Sequence, residues 1–288
     1  MATSLNPYIS KFDAGLDVEK SSEYRMTIQF SLGGFSYALL DTATHTLIGI
    51  ECYLSDSLDD SDEVFRAFER ALENKGLNNK PFHSVICLID NRVCTLVPKT
   101  LFDEKAAATY LDFTSQVSNE QVILNETLKA EQCVNVFAMS KTLRTKIAAK
   151  WCNAGITHLS TEFLNSAVEY APEGKVAFVN VKSRNFDLAI VDDGRLTFFN
   201  NFRFNTKDDF AYFLLLALEQ NQFPSLELPI CFSGLILPDS EIIGLCSRYV
   251  KHLLFVENRQ EIQISDALGE VPFQYYHLHY QALIHNTL

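Results

Sequence analysis

The chain has 288 residues, 47% of them apolar, with 22 Phe and 11 Tyr against only 11 Gly and 8 Pro. That supplies enough apolar material for two α/β cores and excludes a low-complexity or disordered chain. A net charge of -12 argues against nucleic acid as a partner, because neutralising phosphates needs an excess of Lys and Arg. The one basic stretch, Lys141, Arg144, Lys146 and Lys150, reads as a solvated helix surface.

Residues 1–22 are polar and aperiodic and read as an N-terminal arm. Strands are expected over 24–31, 35–40 and 46–54, joined by turns at Leu32-Gly33-Gly34 and at 41–44. An acidic cluster, Asp59 to Glu63, opens a helix that runs to Lys75, where carboxylates complement the free N–H groups of a first turn. Val64, Phe65, Phe68 and Leu72 give that helix one apolar stripe, and Gly76 ends it. Residues 83–89 are nearly all apolar, the pattern of a buried parallel strand. A helix over 102–113, a strand pair at about 121–138 and a helix over 140–153 follow, with Gly155 as the expected helix stop. A short strand and a helix over 161–170 lead to Pro172-Glu173-Gly174, read as a lobe boundary.

The second half repeats the order. Strands are expected over 175–181, 186–191 and 196–204, with Asp192-Asp193-Gly194 as a hairpin turn. A helix from 206–209 to about 221, a strand at 228–232, a helix at 238–250 and a strand at 252–256 complete it. A last helix spans 274–284, where His277 and His279 point away from each other and so cannot share a metal. Strand, strand, strand, helix, strand therefore occurs once in each half. Three antiparallel strands feeding a crossover helix and a parallel strand describe a ribonuclease-H-like lobe. Two such lobes in tandem describe the actin, sugar-kinase and heat-shock ATPase superfold. The expected fold class is thus α/β, with mixed sheets flanked by helices. The expected domains are an arm at 1–22, lobe one at 23–172 with an inserted strand pair, and lobe two at 173–288.

Val134-Asn-Val-Phe-Ala-Met-Ser-Lys141, a helix ending in Asn-Ala-Gly155-Ile and a strand Val176-Ala-Phe-Val-Asn-Val181 carry a resemblance. Asp193-Gly194-Arg-Leu-Thr-Phe-Phe-Asn-Asn-Phe-Arg-Phe204 continues it. Together they resemble the middle of the actin-like pilus-assembly and secretion-platform proteins. The whole chain looks like a bacterial family of unknown function with an actin-like ATPase fold. The resemblance implies a hairpin in each lobe that presents Asp with Gly to nucleotide phosphates and Mg2+.

In lobe two the matching stretch has Asn180 where the Asp would stand and Lys182 where the Gly would stand, followed by Ser183. An amide does not carry the metal's charge, and a side chain obstructs backbone approach. In lobe one Ser31, Gly33 and Gly34 occupy the loop and no acid is present. The adenosine-side Gly-Gly is reduced to Ser233-Gly234. These eight residues form the candidate degenerate nucleotide cleft, with no catalytic or metal residue assigned.

Seven scattered cysteines without a CxxC pair, most of them in apolar contexts that suit buried structural thiols, predict a reducing compartment with no disulfide framework or zinc site. No apolar run approaches the ~20 residues that span a bilayer. The expected protein is therefore cytoplasmic, with no transmembrane segment. The expected function is that of a non-catalytic actin-like interaction scaffold with no cofactor, partnered by another protein or by a second copy as a homodimer. The alternative is a nucleotide-binding ATPase using Mg–ATP, its metal acid supplied by Asp41, Asp90, Asp187 or Asp192. Phe198, Phe202 and Phe204 share one strand face, with Phe199 on the other.

Overall fold

The computed structural model of the protein describes residues 5–55, 58, 60–130, 132–224, 226–258 and 261–285. Residues 1–4 of the expected arm and Asp59 of the acidic cluster lie outside the described residues. In chain order the elements are β1 (Ile9–Phe12), β2 (Tyr24–Ser31), β3 (Gly34–Asp41), β4 (Thr46–Leu54), α1 (Ser61–Asn74), β5 (Ser84–Asp90) and β6 (Cys94–Pro98). Then come α2 (Ala107–Asp112), β7 (Gln121–Thr127), β8 (Cys133–Ser140), α3 (Lys141–Lys150), β9 (Gly155–His158) and α4 (Leu159–Tyr170). They are followed by β10 (Lys175–Val181), β11 (Asn185–Asp192), β12 (Arg195–Arg203), α5 (Lys207–Gln220), β13 (Ile230–Gly234) and α6 (Glu241–Cys246). The chain finishes with β14 (Leu253–Phe255), β15 (Gln263–Ile264) and α7 (Phe273–His285).

The chain divides into two compact units. Unit 1 is Met1–Glu162 with Gln260–Glu270 and His279–Leu288, and unit 2 is Phe163–Arg259 with Val271–Leu278. The main sheet of unit 1 has the order β1-β4-β3-β2-β5-β9, with β15 also on β4. Within it β4, β3 and β2 are antiparallel neighbours, while β5 and β9 run parallel to β2. Unit 2 has the order β12-β11-β10-β13-β14 with the same sequence of directions. The expected ribonuclease-H-like pattern is thus present in both units. Even the irregularity recurs. The β3–β4 ladder shifts register between Leu39 and Leu40, and the β11–β12 ladder shifts between Ile190 and Val191. In both hairpins that shift lies two pairs from the turn, where an extra residue increases the local twist.

In unit 1, α1 lays Val64, Phe65, Phe68 and Leu72 on Met26, Ile28 and Phe30 of β2, and Phe68 packs edge-on to Phe30, Phe35 and Tyr37. Asp60 caps α1 by accepting from the N–H groups of Asp62 and Glu63. Two of the four basic residues on α3 are ion-paired, Lys146 with Asp62 and Lys150 with Glu69 at 3.1 Å, and Lys141 Nζ donates to Asn119 O. In unit 2, Phe198, Phe202 and Phe204 pack on the core around Phe186 and Phe210, while Phe199 faces Phe163 from the other side of β12.

Five expectations are corrected. Residues 9–12 of the expected arm form β1, antiparallel to β4 over Ile9↔Cys52 to Phe12↔Gly49. Buried Glu51 anchors that strand, accepting from Ser10 Oγ at 2.6 Å and Tyr37 Oη at 2.7 Å with Lys75 Nζ at 3.4 Å. Lobe two does not hold the whole of 173–288. β15 pairs with β4, and His279 bonds to Thr27 and Ser36, so 260–270 and 279–288 belong to unit 1. The division falls after Glu162 instead of at Pro172. Finally, Gly155 opens β9; Trp151 is the C-cap of α3, its N–H donating to Ile147. The inserted strand pair is a three-stranded sheet, β6-β8-β7, over which α2 packs Leu111.

Candidate functional site

In unit 2, β10 and β11 form a hairpin that sets Asn180 opposite Asp187 and Val181 opposite Phe186. β13 runs parallel to β10 and sets Ser233 beside Asn180 and Gly234 beside Val181. Four of the five unit-2 candidates therefore converge at the carboxyl ends of two neighbouring parallel strands. Ser183 is exposed on the hairpin turn and does not join them.

Asp187, missed as a member of the leading set, is the centre of this cluster. Its side chain is 1% exposed, and it receives Lys182 Nζ at 2.9 Å, Asn180 Nδ2 at 3.3 Å and Asn201 Nδ2 at 2.6 Å. Ser233 Oγ donates to Asn180 Oδ1 at 3.3 Å. The signal was in the sequence: counting back from a turn at 183–184 pairs Asn180 with Asp187 across the hairpin. A buried carboxylate needs such donors, because an uncompensated charge is costly to desolvate.

Gly234 has φ +83°, and a Cβ there would collide with Val181 O and lie 2.7 Å from Asn180 Oδ1. The missing side chain makes room for β10. Leu235 N–H donates to Val181 O at 2.7 Å and Lys182 N–H to Asn185 O at 2.9 Å, so these two backbone donors are spent inside the fold.

In unit 1, Ser31, Gly33 and Gly34 form the β2–β3 turn. Gly33 N–H donates to Leu58 O at 3.2 Å, and Ser31 Oγ donates to Gly34 O at 3.1 Å. Gly34 is held tight, since a Cβ there would collide with Tyr53 O. By register, Gln29 opposite Ser36 matches Asn180 opposite Asp187. Gln29 Nε2 donates to Asp90 Oδ2 at 3.1 Å, so an amide held to a carboxylate stands at this place in both units. Ser31 and Asp90 line a pocket of about 40 Å³ with Asn91, Ser61 and Ser140, the last two beside the N-termini of α1 and α3. Asp41 and Asp192 sit at the opposite, turn ends of β3 and β11.

The residues present do not fit Mg2+ and a phosphate chain. Each place for a metal-holding acid holds an amide, Lys182 already covers Asp187, and Gly34 and Gly234 are closed in by backbone oxygens of Tyr53 and Val181. Among the described residues no group of three or more His, Cys, Asp or Glu is placed to hold a metal ion. His277 and His279 point apart as expected: Ser166 Oγ is 2.7 Å from His277 Nε2, while His279 takes Thr27 and Ser36. All seven cysteines are free, and burial pushes the Cys52 thiol up to about 12 and that of Cys246 to about 11. No helix among the described residues is long and apolar enough to cross a membrane.

A second polar cluster in unit 1 escaped sequence reading. Glu126 on β7 accepts from Thr157 Oγ1 at 3.0 Å and His158 N–H at 3.1 Å, near Glu162, which lies 3.1 Å from His285 Nδ1. Burial pushes the Glu126 carboxyl up to about 7 against these hydrogen bonds, with the Glu162 charge adding to the rise.

Known structures share this architecture. A Bacteroides thetaiotaomicron protein with an actin-like ATPase fold and unknown function superposes with a TM-score of 0.73 at 18% identity, over 84% of this chain and 93% of that one. A chain of the PilM–PilN type IV pilus biogenesis complex superposes with a TM-score of 0.56 at 12% identity, over 90% of this chain and 96% of that one. These likenesses establish the actin-like ATPase fold. No curated protein matches the sequence. The family model described as "Protein of unknown function (DUF3822)" matches residues 13–253, and the chain belongs to that family, with an actin-like ATPase fold.

Proposed function

We propose that the protein is a non-catalytic member of the actin-like superfamily that works in the cytoplasm as an interaction scaffold for another protein. The observation that carries this reading is the pair of amides, Gln29 and Asn180, at matching register in the two units, each bonded to a carboxylate. In-line phosphoryl chemistry needs metal-held charge at those places. An amide aimed at a neighbouring acid supplies none. One of the similar folds was solved in a complex with a second protein, PilN, which supports a search for a protein partner over a search for a substrate.

Titration calorimetry of purified protein with Mg–ATP and Mg–ADP tests the reading. No heat at millimolar nucleotide is expected. Saturable binding at micromolar concentration would overturn it and direct attention to Asp90, the carboxylate that lines the unit-1 pocket. A partner should then be sought with the intact chain, by crosslinking in extracts and by sedimentation for a second copy.

A further inference from the structure

We infer that the open edge of β12 is a docking site for an extended, acid-ended segment of another protein, which joins the five-stranded sheet of unit 2 as an added strand. The inference rests on the scaffold reading and deepens it, by naming the surface and the chemistry of the partner. β4 and β12 hold the same place in their units, as the last strand of the antiparallel trio. In unit 1 the outer edge of β4 is covered by β1, antiparallel over Ile9↔Cys52 to Phe12↔Gly49, and by β15 at Thr46 and Leu47. That cover is built into the chain: a Cβ on Gly49 would collide with the Phe12 ring, and buried Glu51 accepts from Ser10 Oγ. In unit 2, β12 is nine residues long and, among the described residues, pairs with β11 alone. A bare edge of that length is a template for another strand.

Phe204 N–H donates to Arg184 O on the β11 side, so by the period of two Phe199, Asn201 and Arg203 turn their N–H and C=O groups outward. Asn201 N–H is met by the side chain of its own neighbour, Asn200 Oδ1 at 2.8 Å, and not by a strand. An aromatic ledge runs beside this edge. Phe198, Phe199 and Phe202 are only half-buried, Phe213 of α5 stacks on Phe202 at 6.0 Å, and Tyr212, 61% exposed, stands 5.3 Å from Phe213. Alternate side chains of an added strand would cover that ledge. Arg195 and Arg203 stand exposed at the two ends of β12 and make no ion pair among the described residues, in a chain of net charge -12. Pairing the whole strand antiparallel with a second copy would set Arg195 of each against Arg203 of the other, and facing like charges oppose association. A partner strand with a carboxylate at each end meets both arginines instead.

The test is fluorescence anisotropy with the intact chain and a labelled peptide of alternating Val and Thr, matched to β12 in length and carrying a Glu at each end. A matched peptide ending in Lys is the control. The acid-ended probe should bind wild type at micromolar concentration, and the Lys-ended probe about tenfold more weakly. Arg195→Glu/Arg203→Glu should reverse that preference and, with both side chains exposed, melt with wild type. Two further acid-ended probes, N-methylated at odd or at even residues, keep their side chains and lose the N–H groups of one edge each. Only one of the two should bind, because a strand added to β12 donates from a single edge. That comparison uses wild type alone, so it decides the matter even if the double variant fails to fold. Equal binding of the Glu- and Lys-ended probes, equal binding of the two methylated probes, or no binding of any probe at millimolar concentration would overturn the inference. So would a wild type that dimerises in sedimentation and loses probe binding as it does, since a second copy would then occupy the edge. Titration with Mg–ATP separates the two readings. Nucleotide binding beside intact probe binding would refute the non-catalytic reading alone, and silence to both would refute the docking edge alone.

Discussion

Replacing Glu126 by Gln should convert a protein whose first unit is nearly indifferent to mild acid into one that acid weakens. Two buried groups of unit 1 pull stability in opposite directions between pH 5 and pH 7.5. Burial holds the His279 imidazole near 3, against 6.5 in an unfolded chain. Thr27 and Ser36 occupy its two nitrogens at 2.9 and 2.7 Å, one hydroxyl donating and the other accepting, which suits the neutral ring. Below pH 6.5 the unfolded chain takes up a proton that folded His279 refuses, so acid lowers stability until about pH 3. From pH 7.5 to 5 that amounts to about 2 kcal/mol. Glu126 works the other way. Its carboxyl titrates near 7 when folded and 4.5 when unfolded, so between those values the folded chain keeps a proton that the unfolded chain releases. Falling pH therefore favours folding, by about 2 kcal/mol over the same interval. The two oppose each other in wild type and largely cancel. In Glu126→Gln only the histidine remains, and about 2 kcal/mol should be lost on going from pH 7.5 to 5. The assay is urea unfolding followed by the fluorescence of Trp151, the single tryptophan, which packs on Phe65 and Phe68 inside unit 1. Parallel pH curves for wild type and Glu126→Gln would refute the reasoning. So would a variant that gains stability in acid.

Two other tests address single positions. Gly234→Ala should lose more than about 2 kcal/mol by thermal unfolding, because a Cβ meets Val181 O and Asn180 Oδ1 at φ +83°. Gly244→Ala, within α6 and with open space around the position, should instead gain about 0.5–1 kcal/mol, and a loss there would contradict the open geometry. Asn180→Asp, which restores the acid of the resembling motif, should lower the melting temperature of unit 2. The loss should be larger at pH 8 than at pH 5, because protonating one of two facing acids relieves the repulsion. A pH-independent loss would count against that cause.

Much of the fold could be read from the chain. Strand 24–31 alternates apolar and polar residues and strand 175–181 is largely apolar, both ended by recognisable turns, and the Asp193-Gly194 turn has φ of 47° and 72°, as a two-residue hairpin requires. The elements that escaped reading depend on distant partners. β1 is four residues with a Lys and a Ser, and it is a strand because β4 offers an edge and Glu51 offers a carboxylate. β15 has two residues and exists through Thr46 and Leu47. Nothing in the local pattern around 263 points to a strand more than two hundred positions upstream. Gly155 was misread because a glycine after a helix usually caps it, whereas here Trp151 had already turned the chain into an extended path. At the candidate site the residue types were legible and their couplings were not. Lys182 could be seen to replace a glycine, but its return to Asp187 is a rotamer choice set by burial.

The matching amides make a stronger argument about function than either position does alone. Gln29 and Asn180 occupy the same register, yet the acids they meet come from different places: Asp90 from the parallel strand β5, Asp187 from the antiparallel strand β11. An acid at either amide position would face a second carboxylate within about one hydrogen-bond length, and like charges at that distance do not both ionise. A donor aimed at an acid ties together the two strands that carry them. In unit 2 the amide and its acid join the two strands of the β10–β11 hairpin, whereas in unit 1 they join β2 to the parallel strand β5, so in both units donor and acid are committed to each other.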